Sequence, residues 1–333
     1  MFTRDVPERV VDLSLPASER WGEVIQQDLP AMKKLINGSI RDLNNASSLL
    51  MSPTLHLAFD ALYRLSGGLY TGEIKAIAKA VGISSSLATM LNCAYELSHI
   101  PYLPLLRPGC STAVCALPSG LVHVRNLDWD MKSIGEATRI LRYQEGSREF
   151  LAVGMVGHVG VWSGMLPGKY SVTINWAAPT QIPGWDWGPS FLLRHVLETC
   201  NSYNEAVDAL SSSVLSTSVF YTVCGTTKAC VIERTRKSCV VRRLSTEPLI
   251  QTNHFVSSSN SHHNYMLDAG EENQEILEYS QERYSGLSHT LKKAKTNTEA
   301  FKALSNQKVM AGDTYQQMLF CPSTGEMTVR RQT

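Results

Sequence analysis

The first third of the chain carries apolar residues at helical spacing, with serine or tyrosine opening most of the segments. Apolar positions that recur with a period near 3.6 residues indicate helices that bury one face. Ser84 to Ser86 are suitable N-cap residues for the last helix. We therefore predict helices packed onto a core, with a lipid-facing role for residues 48–64 as the alternative. The predicted helical segments are SERWGEVIQQDLPAMKKLI (18–36), SSLLMSPTLHLAFDALYRL (47–65), YTGEIKAIAKAVGI (70–83) and SSSLATMLNCAYELSH (84–99).

The pattern changes after residue 100. The stretch PYLPLLRPG (101–109) carries three prolines and a glycine, which is typical of a linker. Beyond it, apolar and polar residues alternate, which indicates half-buried strands. STAVCAL (111–117) and LVHVRNL (121–127) flank Pro118-Ser119-Gly120 and predict a hairpin. The next predicted strands are TRILRYQ (138–144), REFLAVGMVG (148–157), VGVWSG (159–164) and KYSVTINWA (169–177).

From residue 188 onwards, segments with helical spacing of apolar residues are interspersed with segments of strand-like spacing. Two helices are predicted first, then four consecutive antiparallel strands, then two more helices and a closing hairpin. This order predicts an α+β protein with stacked sheet and helix layers. The segments are GPSFLLRHVLETC (188–200), YNEAVDALSSS (203–213), VFYTVCG (219–225), ACVIERTR (229–236), SCVVRRLS (238–245), PLIQTN (248–253), EENQEILEYSQERYSGLSHTLKKA (271–294), NTEAFKALSN (297–306), TYQQMLFCP (314–322) and GEMTVRRQ (325–332).

Composition and charge argue against several classes of protein. Hydrophobic residues make up 43% of the 333 positions and charged residues 18%, so the chain can bury a full core. The net charge of +1 argues against nucleic acid as a partner. No apolar run approaches the roughly 20 residues that a membrane-spanning helix needs.

The terminus and the cysteines set further expectations. MFTRDVPERVVDLSLPASERW is interrupted by charges and prolines, unlike a secretory signal. We expect a cytoplasmic protein if this chain is the full precursor, and a lysosomal or secreted one if a signal was removed.

The eight cysteines include no CxxC pair, which argues against zinc, and we expect neither a metal nor another cofactor. His262-His263 is interpreted as a solvated loop pair.

Cys110 follows a glycine at the start of the predicted hairpin. A thiol attacks as its thiolate and needs a base or a positive field, and none of the nine histidines lies in a motif that would supply one. Cleavage between Gly109 and Cys110 would place a free α-amino group, with a pKa of roughly 7.7–8.0, beside the thiol. On the partner strand, Arg125 could stabilise the thiolate and Asp128 could orient the ammonium. The alternative is a buried structural thiol, or a disulfide with Cys115.

The stretch CSTAV…GLVHVRNLDWD resembles the nucleophile hairpin of the acid ceramidase and N-acylethanolamine acid amidase group. This group belongs to the cholylglycine hydrolase and penicillin V acylase branch of the N-terminal-nucleophile (Ntn) hydrolases. The likeness covers nearly the whole chain, and the amidase is the nearer of the two. The other segments that resemble the group are VPERVVDLSLPASERW, EIKAIAKAVGISSSLATMLNCAYELS, GHVGVWSGMLPGKYSVTIN, SFLLRHVLETCNSYNEAVDAL and QTNHF.

The resemblance implies a fold and a set of roles. The fold would be a helical segment at 1–109, which becomes a small subunit after self-cleavage, and a four-layer αββα catalytic domain at 110–333. Cys110 matches the nucleophile, and Arg125 and Asp128 match the pair that supports it. Asn253 matches a side chain that helps to form the oxyanion hole. The implied substrate-contacting residues are Asn175 and Arg283. Independently of the resemblance, Trp162 and Trp176 are candidate substrate-binding residues that, with Trp185 and Trp187, could line an acyl pocket; core packing is the alternative for all four tryptophans.

The chain also departs from the group it resembles. Trp176 stands where the ceramidase and the amidase have a glutamate, and the join before Cys110 is longer than usual. The implied activity is hydrolysis of a linear fatty N-acyl amide after self-cleavage. Its partners would be that amide and the two cleaved fragments, with membrane-surface contact through the N-terminal helices. The alternatives are a ceramidase, another N-acyl amide hydrolase or acyltransferase, and an uncleaved lipid-binding relative.

Overall fold

The computed structural model describes residues 1–65, 67–100, 109–129, 131, 133–264 and 271–333. The predicted linker at 101–108 lies outside the described residues.

Two stacked sheets form the centre of the molecule. The central strands β4, β8 and β9 are buried along nearly their whole length, because both faces of each sheet are covered. The six-stranded sheet has, in spatial order, β1 (Phe2–Thr3), β14 (Glu326–Gln332), β13 (Thr314–Cys321), β4 (Gly120–Asp128), β3 (Gly109–Leu117) and β12 (Leu249–Gln251). The eight-stranded sheet has β11 (Cys239–Arg243), β10 (Ala229–Arg234), β9 (Val219–Gly225), β8 (Tyr170–Trp176), β7 (Ser163–Leu166), β6 (Arg148–Met155), β5 (Thr138–Glu145) and β2 (Glu8–Asp12).

Helices cover the outer face of each sheet. The pair α7 (Pro189–Thr199) and α8 (Tyr203–Ser212) packs on the eight-stranded sheet, and α9 (Glu271–Leu291) and α10 (Asn297–Ala303) pack on the six-stranded one. Strands β3 and β4 contact β8 and β9 between the sheets. The predicted α+β class and four-layer αββα order are therefore confirmed. A short helix, α6 (Ser133–Ala137), joins β4 to β5.

The N-terminal segment is helical between residues 22 and 97. Its elements are α1 (Gly22–Ala46), a 3-10 helix (Ser48–Met51), α2 (Pro53–Leu65), α3 (Thr71–Val81), α4 (Ser85–Asn92) and α5 (Ala94–Leu97). Ser84 caps α4 as predicted, because its hydroxyl accepts a hydrogen bond from the Leu87 N–H. Their apolar faces join the largest core cluster, in which Trp21, Ile74 and Ile77 are almost fully buried.

The prediction that the segment 1–109 is helical is wrong for its first twelve residues. β1 pairs with β14, so that Phe2 lies opposite Gln332, and β2 pairs in parallel with β5. These strands are two and five residues long, and their partners lie more than a hundred positions away. The segment therefore adds an edge strand to each sheet. Gly109, its last residue, lies in β3.

Two strand predictions also need correction. PLIQTN was predicted to continue the run of antiparallel strands, but β12 leaves that sheet and pairs with β3. In VGVWSG only Ser163 and Gly164 lie in a strand. Alternation predicts an extended segment, but it does not say which of two stacked sheets receives it.

Within the described residues, no single helix is long and apolar enough to cross a membrane. Helices α3 and α4 meet that test only together, as a pair bent by 117°.

Candidate active site

The β3–β4 hairpin brings the predicted nucleophile to its supporting residues. Cys110 lies opposite Leu127, and Gly109 lies opposite Asp128. Because side chains alternate along a strand, the three-residue spacing puts Arg125 and Asp128 on opposite faces of the sheet. Arg125 shares the face of Cys110, towards the other sheet, while Asp128 faces α9. The guanidinium therefore reaches the thiol, and the carboxylate reaches the backbone of the preceding peptide.

Arg125 holds the thiol of Cys110, and both side chains are fully buried. Its Nη2 lies 3.3 Å from Sγ and donates to the Ile174 carbonyl at 2.7 Å, while Nη1 donates to Ser163 Oγ. Burial raises the pKa of the Cys110 thiol, and the positive charge of Arg125 opposes only part of that increase. In the uncleaved chain the thiol is therefore neutral, and a base is still required.

Asn253 and Arg283 hold the backbone of Cys110. The Asn253 Oδ1 accepts the Cys110 N–H at 3.0 Å and the Arg283 Nη2–H at 2.7 Å. Arg283 Nη1 donates to the Cys110 carbonyl at 2.7 Å. Two donors converge on Oδ1, so the orientation of the amide is determined by its partners. Its Nδ2 donates to the Trp176 carbonyl at 2.9 Å, so the group predicted to serve the oxyanion hole is engaged here.

Arg283 lies at the nucleophile. Besides the Cys110 carbonyl, it reaches Ser111 Oγ at 3.2 Å and lies 3.7 Å from Asp128 Oδ2. Only 2% of its surface is exposed. The contacts of this guanidinium are therefore with the peptide of the nucleophile, and its predicted contact with substrate remains a prediction.

Asp128 presents to the peptide before Cys110 one oxygen that lies in ion-pair range of Arg283 but accepts no hydrogen bond within the described part of the chain. Oδ1 accepts from Thr314 Oγ1 at 2.5 Å, but Oδ2 accepts no hydrogen bond from the described residues. A Cβ placed on Gly109 would lie 3.1 Å from Asp128 Cβ and 3.3 Å from Oδ2, which explains the glycine. Burial raises the pKa of Asp128 to about 6, and the nearby Arg283 opposes that rise.

Two of the predicted substrate-contacting side chains are committed to protein partners. Asn175 Oδ1 accepts from Thr112 Oγ1 at 2.8 Å, and its Nδ2 donates to the carbonyls of Gln251 and Thr252. Asn175 thus ties β8 to β3 and β12. The Trp176 indole donates to Ser98 Oγ at 3.1 Å. Binding substrate would require these bonds to be exchanged.

The tryptophans proposed to line an acyl pocket fall in two different cavities. Trp162 lines a cavity of about 50 Å³ with Trp129 and Met131, and α1, α3 and α4 close its other side. Its indole N–H donates to His158 Nε2 at 2.9 Å. Trp185 and Trp187 line a separate cavity of about 300 Å³ between α2, α5 and the loop before α7.

Sequence reasoning missed Ser163, Thr314 and Ser280. Ser280 Oγ accepts the Asn253 N–H at 2.8 Å and lies 2.8 Å from His254 Nδ1. Ser163 stands in the quoted GVWSG stretch, which was the available signal; nothing in the chain marked the other two as partners of the site.

The structure also tests a disulfide at Cys110 and a metal site at the paired histidines. Cys110 and Cys115 point to opposite faces of β3, and all eight cysteines are free thiols. The alternative of a disulfide between Cys110 and Cys115 is therefore wrong. His262 is exposed, and no group of three or more metal-ligating side chains lies within the described residues.

Comparison with known proteins confirms the resemblance seen in the sequence. Residues 115–313 match the family described as acyl-coenzyme A:6-aminopenicillanic acid acyl-transferase. The acid ceramidases of Mus musculus and Homo sapiens are each 27% identical over 264 residues, which is 70% of this chain. The chain spans 64% of the length of these two ceramidases.

A second group of relatives agrees with the first. The N-acylethanolamine-hydrolyzing acid amidase of Caenorhabditis elegans is 26% identical over 246 residues, 68% of this chain and 67% of that protein. The solved structure of a Caenorhabditis elegans ortholog of this amidase superposes with a TM-score of 0.55 at 21% identity. It covers 67% of this chain and all of the other. At that identity the likeness shows a common fold.

Proposed function

Because the chain belongs to the acyl-coenzyme A:6-aminopenicillanic acid acyl-transferase family, we propose that it is a cysteine amidase of the Ntn type. It hydrolyses linear fatty N-acyl amides after cutting itself between Gly109 and Cys110. The observation that carries the proposal is the environment of Cys110, whose thiol, N–H and carbonyl are held by Arg125, Asn253 and Arg283 respectively.

Self-cleavage begins at the thiol. Cys110 Sγ attacks the Gly109 carbonyl carbon, the peptide C–N bond breaks, and a thioester replaces the amide. The nitrogen that leaves takes up a proton and becomes the α-amine of Cys110. Water then hydrolyses the thioester, which frees the thiol and leaves a carboxylate on Gly109. The Oδ2 of Asp128 beside Gly109 supports this step, because it accepts no hydrogen bond from the described residues and can accept one from the new ammonium.

The freed amine completes the catalytic group. It takes the proton of the Cys110 thiol, and Sγ attacks the substrate carbonyl. The amine returns the proton to the leaving nitrogen, the C–N bond breaks, and water hydrolyses the acyl thioester. For Asn253 to donate to the oxyanion, its Nδ2 must exchange the Trp176 carbonyl for the substrate oxygen.

The acyl chain is proposed to occupy the cavity beside Trp162, Trp129 and Met131. In the uncleaved chain its volume is about 50 Å³, whereas pockets that hold drug-sized ligands measure roughly 300–1,000 Å³. The wall formed by α1, α3 and α4 must therefore move outwards before a fatty chain can enter. Such movement is available to a segment that is no longer joined to Cys110.

The two products of cleavage are proposed to stay together as segments 1–109 and 110–333. The N-terminal segment contributes β1 and β2 to the two sheets, and Arg9 pairs with Asp28 within it. Asp28 also receives Arg139 of β5 at 2.6 Å, with both side chains more than nine-tenths buried. These contacts do not depend on an intact peptide at Gly109.

Contact with a lipid surface is part of the same proposal. Leu49 and Leu57 are 71% and 62% exposed on the 3-10 helix and α2, and large apolar side chains are costly to expose in water. An enzyme that acts on fatty amides meets its substrate at a membrane or a micelle. Leu49→Ser and Leu57→Ser together should lower binding to phosphatidylcholine vesicles in a flotation assay; unchanged binding would contradict the contact.

Intact-protein mass spectrometry at neutral and then acid pH is the direct test. Two fragments divided between Gly109 and Cys110 are expected, and Cys110→Ala should leave the chain whole. Cys115→Ala is the matched control, because that thiol lies five residues along the same strand on the other face. A wild-type chain that stays whole at every pH and releases no fatty acid from N-acyl amides would refute the proposal. Turnover of N-acylethanolamines against ceramides then identifies the amine.

A further inference from the structure

A second cavity lies away from Cys110, between α2, α5 and the loop that leads into α7. Its volume is about 300 Å³, within the size range of small-molecule sites. Cys110, Arg125, Asn253 and Arg283 are not among its lining residues. Its lining includes six aromatic rings, namely Phe59, Tyr63, Tyr70, Trp185, Trp187 and Phe191.

The rings form two groups of contacts in the wall of the cavity. Phe191 lies 5.2 Å from Tyr63 and 5.9 Å from Tyr70, and Phe59 meets Trp185 edge-on at 6.3 Å between centroids. Trp185 is 52% exposed, and Ile182 and Leu69 at the same rim are also exposed. The cavity is therefore open to an apolar ligand from solvent.

One carboxyl group of this cavity has no counter-charge. Glu96 Oε1 accepts from Ser216 Oγ at 3.4 Å, while its buried Oε2 has no hydrogen-bond partner among the described residues. Burial raises the pKa of Glu96 to about 7. Gly188 makes room for this group, because a Cβ there would lie 2.2 Å from Oε1.

The charges of the lining favour a cation. The described lining residues include two acids, Glu96 and Asp186, and no lysine or arginine. Asp186 already pairs with Arg236, at 3.3 Å, whereas Glu96 forms no ion pair within the described part of the chain. A buried carboxylate needs donors, and aromatic faces attract cations. A neutral ligand without a donor would leave the Glu96 oxygen without a hydrogen bond. An anion would be repelled by the carboxylate.

We propose that this cavity binds an organic ammonium ion with an apolar body, whose N–H groups donate to Glu96 Oε2 and whose carbon chain lies against the aromatic rings. The site does not depend on the proposed hydrolysis, since no residue of the cavity contacts the thiol and binding requires no turnover. The two proposals therefore fail separately.

Calorimetric titration of the uncleaved Cys110→Ala chain tests the site with three probes of one shape. Hexylammonium should bind with a stoichiometry of one, while hexan-1-ol, which carries no positive charge, and hexanoate, which a carboxylate repels, should bind at least about tenfold more weakly. Glu96→Gln should weaken hexylammonium by about tenfold or more and leave hexan-1-ol unchanged. Asp186→Asn, at the same cavity but already paired, is the matched control and should change little.

Either of two results would overturn the inference. Equal binding of all three probes would show a site for apolar chains without charge selection, and no binding of hexylammonium would show no site at all. The comparison among probes uses only the Cys110→Ala chain, so it decides the question even if the Glu96 variant folds poorly. A Glu96→Gln chain that folds and binds hexylammonium as tightly as its parent would also contradict the role of this carboxylate.

Discussion

Substitution of Glu73 should loosen the N-terminal helices from the catalytic layers. Glu73 lies on α3 and Arg194 on α7, and both side chains are fully buried. Arg194 donates to the two carboxylate oxygens at 2.6 and 2.8 Å, and the Trp21 indole and Arg20 add bonds at 2.6 and 3.2 Å. This carboxylate is therefore the centre of the polar contact between the two proposed fragments.

The expected loss of unfolding free energy depends on the contacts that Arg194 keeps after Glu73→Gln. Arg194 keeps Glu198, at 2.8 Å, but loses its buried partner. Removal of one member of a buried pair typically costs about 3–5 kcal/mol, mostly because the other charge stays desolvated. Because Arg194 keeps its ion pair with Glu198, we expect a value at the lower end of this range, a loss of about 3 kcal/mol in the free energy of unfolding. Glu73→Met with Arg194→Met should recover part of it, since the buried guanidinium is then gone, while Glu198 and the Trp21 indole each lose a partner.

Urea denaturation of the Cys110→Ala chain, followed by circular dichroism, measures the change. Glu136→Gln is the matched control, because Lys34 and Glu136 also join α1 to the catalytic domain, at 2.6 Å, but both are about half exposed. A surface pair contributes about 0–1 kcal/mol. A Glu73→Gln change no larger than that of Glu136→Gln would refute the reasoning.

Three further predictions concern the site. Arg125→Lys should slow self-cleavage roughly 100-fold in a mass-spectrometric time course, because an ammonium cannot replace a guanidinium that contacts Cys110 and two further partners; an unchanged rate would contradict this role. Burial raises the pKa of Asp128 to about 6, so the folded chain holds that proton more tightly than the unfolded chain and loses stability as the pH rises from about 4 to above 6. In the Cys110→Ala background, Asp128→Asn should therefore be about 3 kcal/mol more stable at pH 8 and equal below about pH 4 by urea denaturation, and a gain confined to acid pH would show the opposite sign. Ala88→Leu fills the cavity beside Trp162 and should lower turnover of long-chain amides more than of acetyl amides; equal losses would place the acyl chain elsewhere.

Much of the fold could be predicted from the local spacing of apolar and polar residues. The hairpin from Gly109 to Asp128 could be predicted because the alternation on both sides of Pro118-Ser119-Gly120 leaves one register, and Gly120 adopts a φ of +114° that suits the turn. The helices between residues 22 and 97 could be predicted for a similar reason, since their periodicity is a property of contiguous residues. Strands β1, β2 and β12 are short, and their sheets are chosen by distant partners.

The candidate site divides in the same way. Cys110, Arg125 and Asp128 are spaced along one hairpin, so the sequence alone could bring them together. Arg283 comes from α9, and only its packing shows that it holds the nucleophile's carbonyl. Asn175 was expected at the substrate, yet its amide forms three hydrogen bonds, to β3 and to the end of β12.

By itself, the sequence determined the class of the fold and the hairpin, and it predicted a cysteine nucleophile that would use its own amine as base. These depend on neighbours in the chain, whose geometry the strand and helix periods already specify. The tertiary structure alone decided which partners the buried polar groups take. Within the described residues, it left Asp128 Oδ2 without a hydrogen bond beside Gly109, and it reduced the cavity at Trp162 to about 50 Å³. It also placed Glu96 in a partly aromatic cavity, without an ion-pair partner in the part of the chain that the structure describes. A buried donor or acceptor must be satisfied by whatever the packing brings within reach, and sequence spacing does not specify contacts between distant layers.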